Sequence, residues 1–118
     1  MTAFVTVDQA NAYLRQDSDY ENDLISGLII ASENECRDVA RMTSSEWEAI
    51  ASASSESANI TINGQEYSGD EQVQLRELIR VAVLYALGYL YEHRTEADHH
   101  DLIITLRNLL FSVREGVF

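Results

Sequence analysis

The sequence of 118 residues contains no lysine, no proline and only one cysteine, Cys36. Without a second cysteine there is no internal disulfide and no paired-thiolate metal site, which fits a reducing compartment. Without lysine, all 8 fixed cations are arginines, whose planar guanidinium groups suit bidentate pairing with carboxylates. The chain is nevertheless long enough to form a single domain with its own core.

Positive charge is scarce as well, since 20 acidic residues against 8 arginines give a net charge of -12. Phosphate-binding faces and anionic membrane surfaces need clustered cations, so both kinds of partner are disfavoured. Residues 1–7 lack the basic start and apolar run of a signal peptide. The longest uncharged run in the C-terminal half, residues 81–91, is well short of the roughly 20 residues that cross a bilayer. We therefore expect a soluble protein.

Sequence motifs of common enzyme classes are missing too. The chain has no glycine-rich dinucleotide loop, no Walker loop, no GxSxG nucleophile elbow and no HExxH zinc motif. Its carboxylates are scattered without partners for acid and base chemistry. We expect no catalytic activity and no cofactor.

Apolar periodicity and capping residues predict a single all-α domain over residues 1–118, with four helices. The first is short, begins at a capping box between Thr6 and Gln9 and ends near Arg15, with Ala10, Tyr13 and Leu14 on one face. The second helix ends at about Arg41, the third runs from Ser68 or Asp70 to about His93, and the fourth runs from about Asp98 to Ser112.

The second helix carries an apolar stripe that includes Cys36, so we predict a buried and unreactive thiol. Glu33 and Arg37 are spaced as an i,i+4 ion pair, and we place both on the solvent side. Gly27 and Gly88 interrupt helices at a cost of roughly 1 kcal/mol each, which close helix contacts could offset.

The middle of the chain has a different pattern. Ser45 to Glu48 has capping-box spacing and predicts one or two helical turns carrying Trp47 and Ile50. The serine- and alanine-rich run over residues 51–59 predicts a mobile loop. Apolar and polar side chains alternate in residues 60–67 on either side of Asn63 and Gly64, which predicts a small β-hairpin with a type I′ turn.

The third helix is apolar in every direction, because Arg80 is its only charged residue between positions 78 and 91. A helix of this kind must be buried on all sides. Three other helices in so small a chain can cover only part of its circumference. We therefore expect another subunit to cover the rest.

Two groups of residues have the composition of metal sites. Asp17, Asp19, Glu21 and Asp23 alternate as the ligands of a calcium-binding loop do. Asn22 and Leu28, however, stand where such a loop requires glycine and glutamate. We therefore interpret these acids as negative charge that stabilises the N-terminus of the second helix. The second group lies between the third and fourth helices and consists of His93, Glu96, Asp98, His99 and His100. Its spacing matches no closed metal site, so we interpret it as a turn exposed to solvent.

Two stretches of the sequence resemble one family. Residues 12–19 (AYLRQDSD) and 23–31 (DLISGLIIA) resemble the opening of the head-tail connector proteins of long-tailed bacteriophages, also called adaptor or head-completion proteins. Residues 76–94, above all AVLYALGYLYEHR from position 82, are similar to that family's third helix and its closing YExR. The last helix with Arg114 is similar to the family's ending. The chain departs from the pattern at residues 40–43 and lacks the proline that commonly opens the third helix.

The resemblance implies a structural virion protein made in the cytoplasm of a bacterial host. Such proteins form a ring, usually of twelve copies, that docks on the portal, extends the DNA channel and receives a tail or stopper protein. DNA would pass through without specific binding. The residues that would take part form three sets. The subunit interface comprises Arg80, Leu84, Tyr85, Tyr89, Tyr91 and Arg94, the channel-facing acids are Glu46, Glu48 and Glu56, and the portal-binding tail comprises Val113, Arg114, Val117 and Phe118.

Two other interpretations remain open at this point. A small protein with a net charge of -12 could be an acidic DNA mimic that inhibits a basic host protein, because spaced carboxylates can imitate phosphates. A small helical enzyme that uses the histidine cluster is the third interpretation.

Overall fold

The computed structural model describes residues 4–14, 22–93 and 100–111. Within these ranges it contains five α-helices and one two-stranded antiparallel sheet. The elements are α1 (Val7–Leu14), α2 (Asn22–Ala40), α3 (Ser44–Ala51), β1 (Ile60–Ile62), β2 (Gln65–Tyr67), α4 (Asp70–Glu92) and α5 (His100–Leu109). The predicted mainly helical fold is confirmed, and the turns expected around Trp47 form a complete fifth helix.

Two capping boxes define where α1 and α3 begin. The Thr6 amide donates to Gln9 Oε1 at 3.0 Å, and the Gln9 amide donates to Thr6 Oγ1 at 3.1 Å, as predicted. In α3 the box joins Thr43 and Glu46 at 2.7 and 3.1 Å, so the predicted box from Ser45 to Glu48 is wrong by two residues. Thr43 has extended backbone (ψ 164°) and can serve as the cap, whereas residue 45 already lies inside the helix.

The core forms where α2 packs along α4, the most extensive contact between elements. Ile25 of α2, together with Ile79 and Leu87 of α4, is completely buried there. Helix α5 contacts both helices and contributes Leu102 and Leu106, which are also fully buried. Helix α1 also contacts both α2 and α4.

The predicted hairpin is confirmed with its turn. Asn63 and Gly64 both have positive φ, 51° and 83°, as a type I′ turn requires. Ile60 pairs with Tyr67, and the buried side chains of Ile62 and Tyr67 fix the hairpin on the core. The Asn63 side-chain amide also donates to the carbonyl of Ala40, the last residue of α2, at 2.9 Å.

The loop that follows α3 is attached to α4 by hydrogen bonds. The Arg76 guanidinium donates to the carbonyl of Ala53, and Gln72 Nε2 donates to the carbonyl of Ser57 at 3.1 Å. Ala53 itself is buried. The mobility expected for residues 51–59 stays a prediction, but the loop has two fixed contacts that composition alone did not indicate.

Candidate interaction surface

Helix α4 has one buried face and one exposed face. Ile79, Val83 and Leu87 are completely buried, whereas on the opposite side Val81 is 56% exposed and Tyr85 is 39% exposed. The part of the chain that the structure describes therefore leaves some of this apolar helix uncovered, as its sequence predicts. None of the described helices is both long enough and apolar enough to span a membrane.

Helix α1 approaches α4 closely at Gly88. A Cβ atom built on Gly88 would lie 3.1 Å from Cε2 of Tyr13, which is tighter than an ordinary contact. The predicted close helix contact at Gly88 is therefore confirmed. At Gly27 the same prediction is wrong, because within the described part of the chain no atom beyond its neighbours and the nearby backbone of α2 lies within 4 Å of the corresponding position.

A groove of about 470 Å³ opens where the C-terminal ends of α1 and α4 meet. Four of the five described tyrosines line it, together with Glu92. These tyrosines are Tyr13, Tyr85, Tyr89 and Tyr91. The Tyr89 ring is also stacked on the His93 imidazole, with centroids 4.3 Å apart. Below, this site is called the tyrosine groove.

A second concavity of about 250 Å³ lies at the N-terminal end of α1. Arg76 and Arg80 of α4 line it together with Thr6 and Gln9. The two arginine side chains are 32% and 33% exposed, and both guanidinium groups lie within 4.0 Å of the Glu77 carboxylate, at 3.8 and 3.4 Å. Below, this site is called the arginine pocket.

The residues predicted for a subunit interface are thus divided between two places. The structure brings Tyr85, Tyr89 and Tyr91 together in the tyrosine groove and puts Arg80 in the arginine pocket. Leu84 is partly buried against the core, and Arg94 lies outside the described residues. Because Tyr13 is far from α4 in sequence, its place in the groove was not predictable from the local pattern.

The clearest error concerns Glu33, which we placed on the solvent side and which is only 3% exposed. Its Oε1 accepts a hydrogen bond from Trp47 Nε1 at 3.2 Å, and its Oε2 accepts one from the Phe4 amide at 3.3 Å. Burial raises the pKa of this carboxyl above 4.5, the two hydrogen bonds oppose that rise, and the charge of Glu48 adds to it. Residue 33 lies four positions after Ile29, so helical periodicity did place it on the buried stripe.

The predicted partner, Arg37, is half-buried and separate from Glu33. Its Nε lies 4.0 Å from Asp38 Oδ1, and its Nη1 donates to Ser44 Oγ at 3.4 Å. Arg37 therefore contacts the start of α3 instead of forming the expected pair within α2.

The three acids predicted to face a channel have different environments. Glu46 accepts from the Thr43 amide and so serves as a helix cap. Glu48 is partly buried, while Glu56 is exposed in the loop after α3. Of the three, Glu56 has the most accessible charge.

Cys36 is completely buried, as predicted. Burial raises its pKa to about 12, with smaller contributions from Glu33 and Glu35, so the thiol is protonated and unreactive at neutral pH. Its position excludes a role as an accessible nucleophile.

No group of metal-binding side chains occurs among the residues that the structure describes. Of the histidine cluster, only His93 and His100 belong to the described ranges; Asp23 is the one described member of the acidic series, and it is exposed. The remaining members lie outside those ranges, namely Asp17, Asp19, Glu21, Glu96, Asp98 and His99. The predicted tail, with Val113, Arg114, Val117 and Phe118, lies outside them too.

Comparison of the chain with models of known protein families, with curated proteins and with solved structures gives no match. The connector resemblance is therefore carried by the sequence patterns quoted above.

Proposed function

We propose that this chain is the structural subunit of a ring at the head-tail junction of a bacteriophage virion. The ring docks on the portal, extends the DNA channel and supports a tail or stopper protein. The observation that carries the proposal is the uncovered apolar face of α4, where Val81 is 56% and Tyr85 is 39% exposed. The sequence resemblance, which includes α4 itself, also supports it.

Repeated contacts between different faces of neighbouring copies close into a ring when the rotation permits. The tyrosine groove and the arginine pocket are two different faces of this kind, and tyrosine and arginine are the residues that most often dominate binding energy at protein interfaces. Further exposed apolar side chains are available for contacts with other components, namely Leu24, Ile30, Ile104 and Phe111.

The net charge of -12 supports a channel that DNA passes through without sticking. An acidic wall repels phosphates and therefore gives no electrostatic affinity for the duplex. Of the three predicted acids, we place Glu56 first for a position facing the lumen because its side chain is exposed. Glu46 and Glu48 rank after it because they are less exposed. A ring structure whose lumen is basic would contradict this assignment.

The direct experiment measures particle mass in solution for the chain alone, for its cognate portal and for the mixture. We expect a ring of subunits on the portal. Val81→Glu should abolish the ring without unfolding the monomer, because Val81 is exposed on a single chain. Ala49→Glu adds the same charge at an exposed position of α3 and should assemble normally. Equal assembly of both variants, or no complex with the portal, would contradict the proposal.

The predicted tail has its own test. Deleting residues 114–118 should weaken portal binding while leaving contacts between copies intact, because Val117 and Phe118 would anchor the portal. Unchanged portal binding would refute the role of the tail.

The net charge also supports the alternative function of an acidic DNA mimic. That function predicts a monomer or dimer that binds a basic host protein and loses affinity steeply as salt is added. The same mass measurement, repeated with increasing salt, separates it from ring formation.

A further inference from the structure

One asparagine of the sequence is followed directly by glycine. This residue is Asn63, which precedes Gly64, whereas each of the other asparagines is followed by a residue with a side chain. Asparagine is thermolabile, because the backbone nitrogen of the next residue can attack its side-chain carbonyl carbon. Glycine has no Cβ to hinder that attack. Asn63 is therefore the asparagine of this chain most prone to lose its side-chain amide.

The loss of the amide, called deamidation, has two steps. The Gly64 nitrogen forms a bond to Asn63 Cγ, the bond from Cγ to Nδ2 breaks, and the amide proton of Gly64 leaves with Nδ2 as ammonia. One water molecule then opens the resulting cyclic succinimide at either of its carbonyls. One opening gives aspartate, and the other gives isoaspartate, in which the main chain runs through the former side chain. No electrons are exchanged, and water is the only co-reactant.

The folded turn opposes the first of these steps. The φ of Asn63, 51°, lies in the left-handed region, where ψ is about 47°. At such a ψ the Gly64 nitrogen lies opposite Cβ across the bond from Cα to the carbonyl carbon, whereas ring closure requires the two atoms to be eclipsed. The side-chain amide is held as well, because Nδ2 donates to the Ala40 carbonyl at 2.9 Å. Attack on Cγ therefore requires the turn to open.

A deamidated residue 63 cannot restore the same turn. An aspartate carboxylate is only an acceptor at neutral pH, so the hydrogen bond to the Ala40 carbonyl is lost. The carboxylate would also face the C-terminal end of α2, which carries a partial negative charge. Isoaspartate would lengthen the main chain between Ile62 and Gln65, which are paired across the turn. With either product the hairpin would lose its attachment to α2.

We propose that Asn63 is a site of spontaneous deamidation, that the closed turn protects it, and that its conversion detaches the hairpin from α2. The amide reacts only while the turn is open, and the product hinders reclosure. An opening that ends in deamidation is thus recorded irreversibly in the covalent structure. The inference does not depend on the proposed ring, so failure of either one leaves the other standing.

The protection is measured on the full chain at mildly alkaline pH, in buffer and in denaturing urea. Mass spectrometry of the peptide that contains residue 63 detects deamidation as the gain of a single dalton. We expect the reaction in urea and a rate at least about tenfold lower in buffer, because only the open fraction of the turn reacts. Asn59 is the internal control, since it is exposed and precedes Ile60, and it should stay unmodified over the same period in both conditions.

Gly64→Ala tests the route of the reaction. Its rate is measured in urea, where the positive φ of residue 64 in the folded turn has no influence. The added methyl group should slow deamidation at Asn63 about tenfold, because it hinders attack by the backbone nitrogen. The proposal is overturned if this variant reacts as fast as the wild-type chain, if Asn63 stays unmodified in urea, or if the wild-type rates in buffer and urea are equal.

The structural consequence is tested with Asn63→Asp, which reproduces one of the two products. Its equilibrium constant for unfolding, from urea titration, should rise about tenfold through the lost hydrogen bond and the unpaired Ala40 carbonyl. Asn59→Asp adds the same charge at an exposed position before β1 and should change that constant by less than about twofold. Equal effects of the two substitutions would refute the detachment of the hairpin.

Discussion

Trp47 Nε1 donates a hydrogen bond to Glu33 Oε1 at 3.2 Å, which joins α3 to α2 inside the core. The second oxygen of Glu33 accepts from the amide of Phe4, whose ring packs edge-on against Trp47 at 4.6 Å between centroids. One carboxylate therefore connects three parts of the chain: the N-terminal segment, α2 and α3.

Replacing Glu33 by alanine should destabilise the fold by about 2 to 3 kcal/mol, because two buried N–H donors would lose their acceptor. The free energy of unfolding from urea titration measures the change. Glu35→Ala is the matched control, since Glu35 lies on the same helix and is only half-buried, and it should cost less than about 0.5 kcal/mol. Equal losses in the two variants would contradict the assigned role of Glu33.

The raised pKa of Glu33 also predicts how stability depends on pH. The folded state binds this proton more tightly than the unfolded state, so the contribution of Glu33 to stability is fully present below 4.5 and is lost as pH rises through the raised value. The comparison is made with Glu33→Gln, which does not titrate. The stability of the wild-type chain relative to that variant should fall as pH increases from 4.5, and a constant difference would refute the shift.

Alanine should stabilise the fold more at Gly27 than at Gly88. Gly27→Ala should stabilise the fold by about 0.5 to 1 kcal/mol, because the site has open space and alanine favours a helix. Gly88→Ala should gain less or lose stability, because the new methyl group would press on the Tyr13 ring at 3.1 Å. Thermal unfolding of both variants checks the sign of each change.

Cys36 should be inert in the folded chain. Its thiol is buried and has a pKa of about 12, so a disulfide reagent such as Ellman's should react only in proportion to unfolding. The measurement compares reaction rates in buffer and in denaturing urea. Rapid reaction in buffer would show that the thiol is accessible.

Local signals in the sequence were sufficient for much of the fold. The Thr6 cap, the long apolar periods of α2 and α4, and the Asn63-Gly64 turn each depend on residues close together in the chain, and each is found in the structure. The α3 cap was placed wrongly because two overlapping patterns, from Thr43 and from Ser45, satisfy the same spacing rule.

The buried Glu33 and the tyrosine groove depend on contacts between distant residues and were harder to predict. Glu33 was assigned to solvent because it is charged, although its position relative to Ile29 indicates burial. Hydrogen bonds from the Trp47 indole and the Phe4 amide, which come from distant parts of the chain, offset the cost of burying it. The tyrosine groove requires Tyr13 to meet Gly88, which follows from how α1 crosses α4 and not from any local pattern.

The hydrogen bond from the Asn63 side chain to the Ala40 carbonyl links the tip of the hairpin to the end of α2 across 23 residues. Helices end with carbonyls that lack partners within the helix, and here a distant turn supplies one. We therefore expect the end of α2 and the turn to open together in the native state. Amide hydrogen exchange at Met42 and at Gln65 should report one shared opening event.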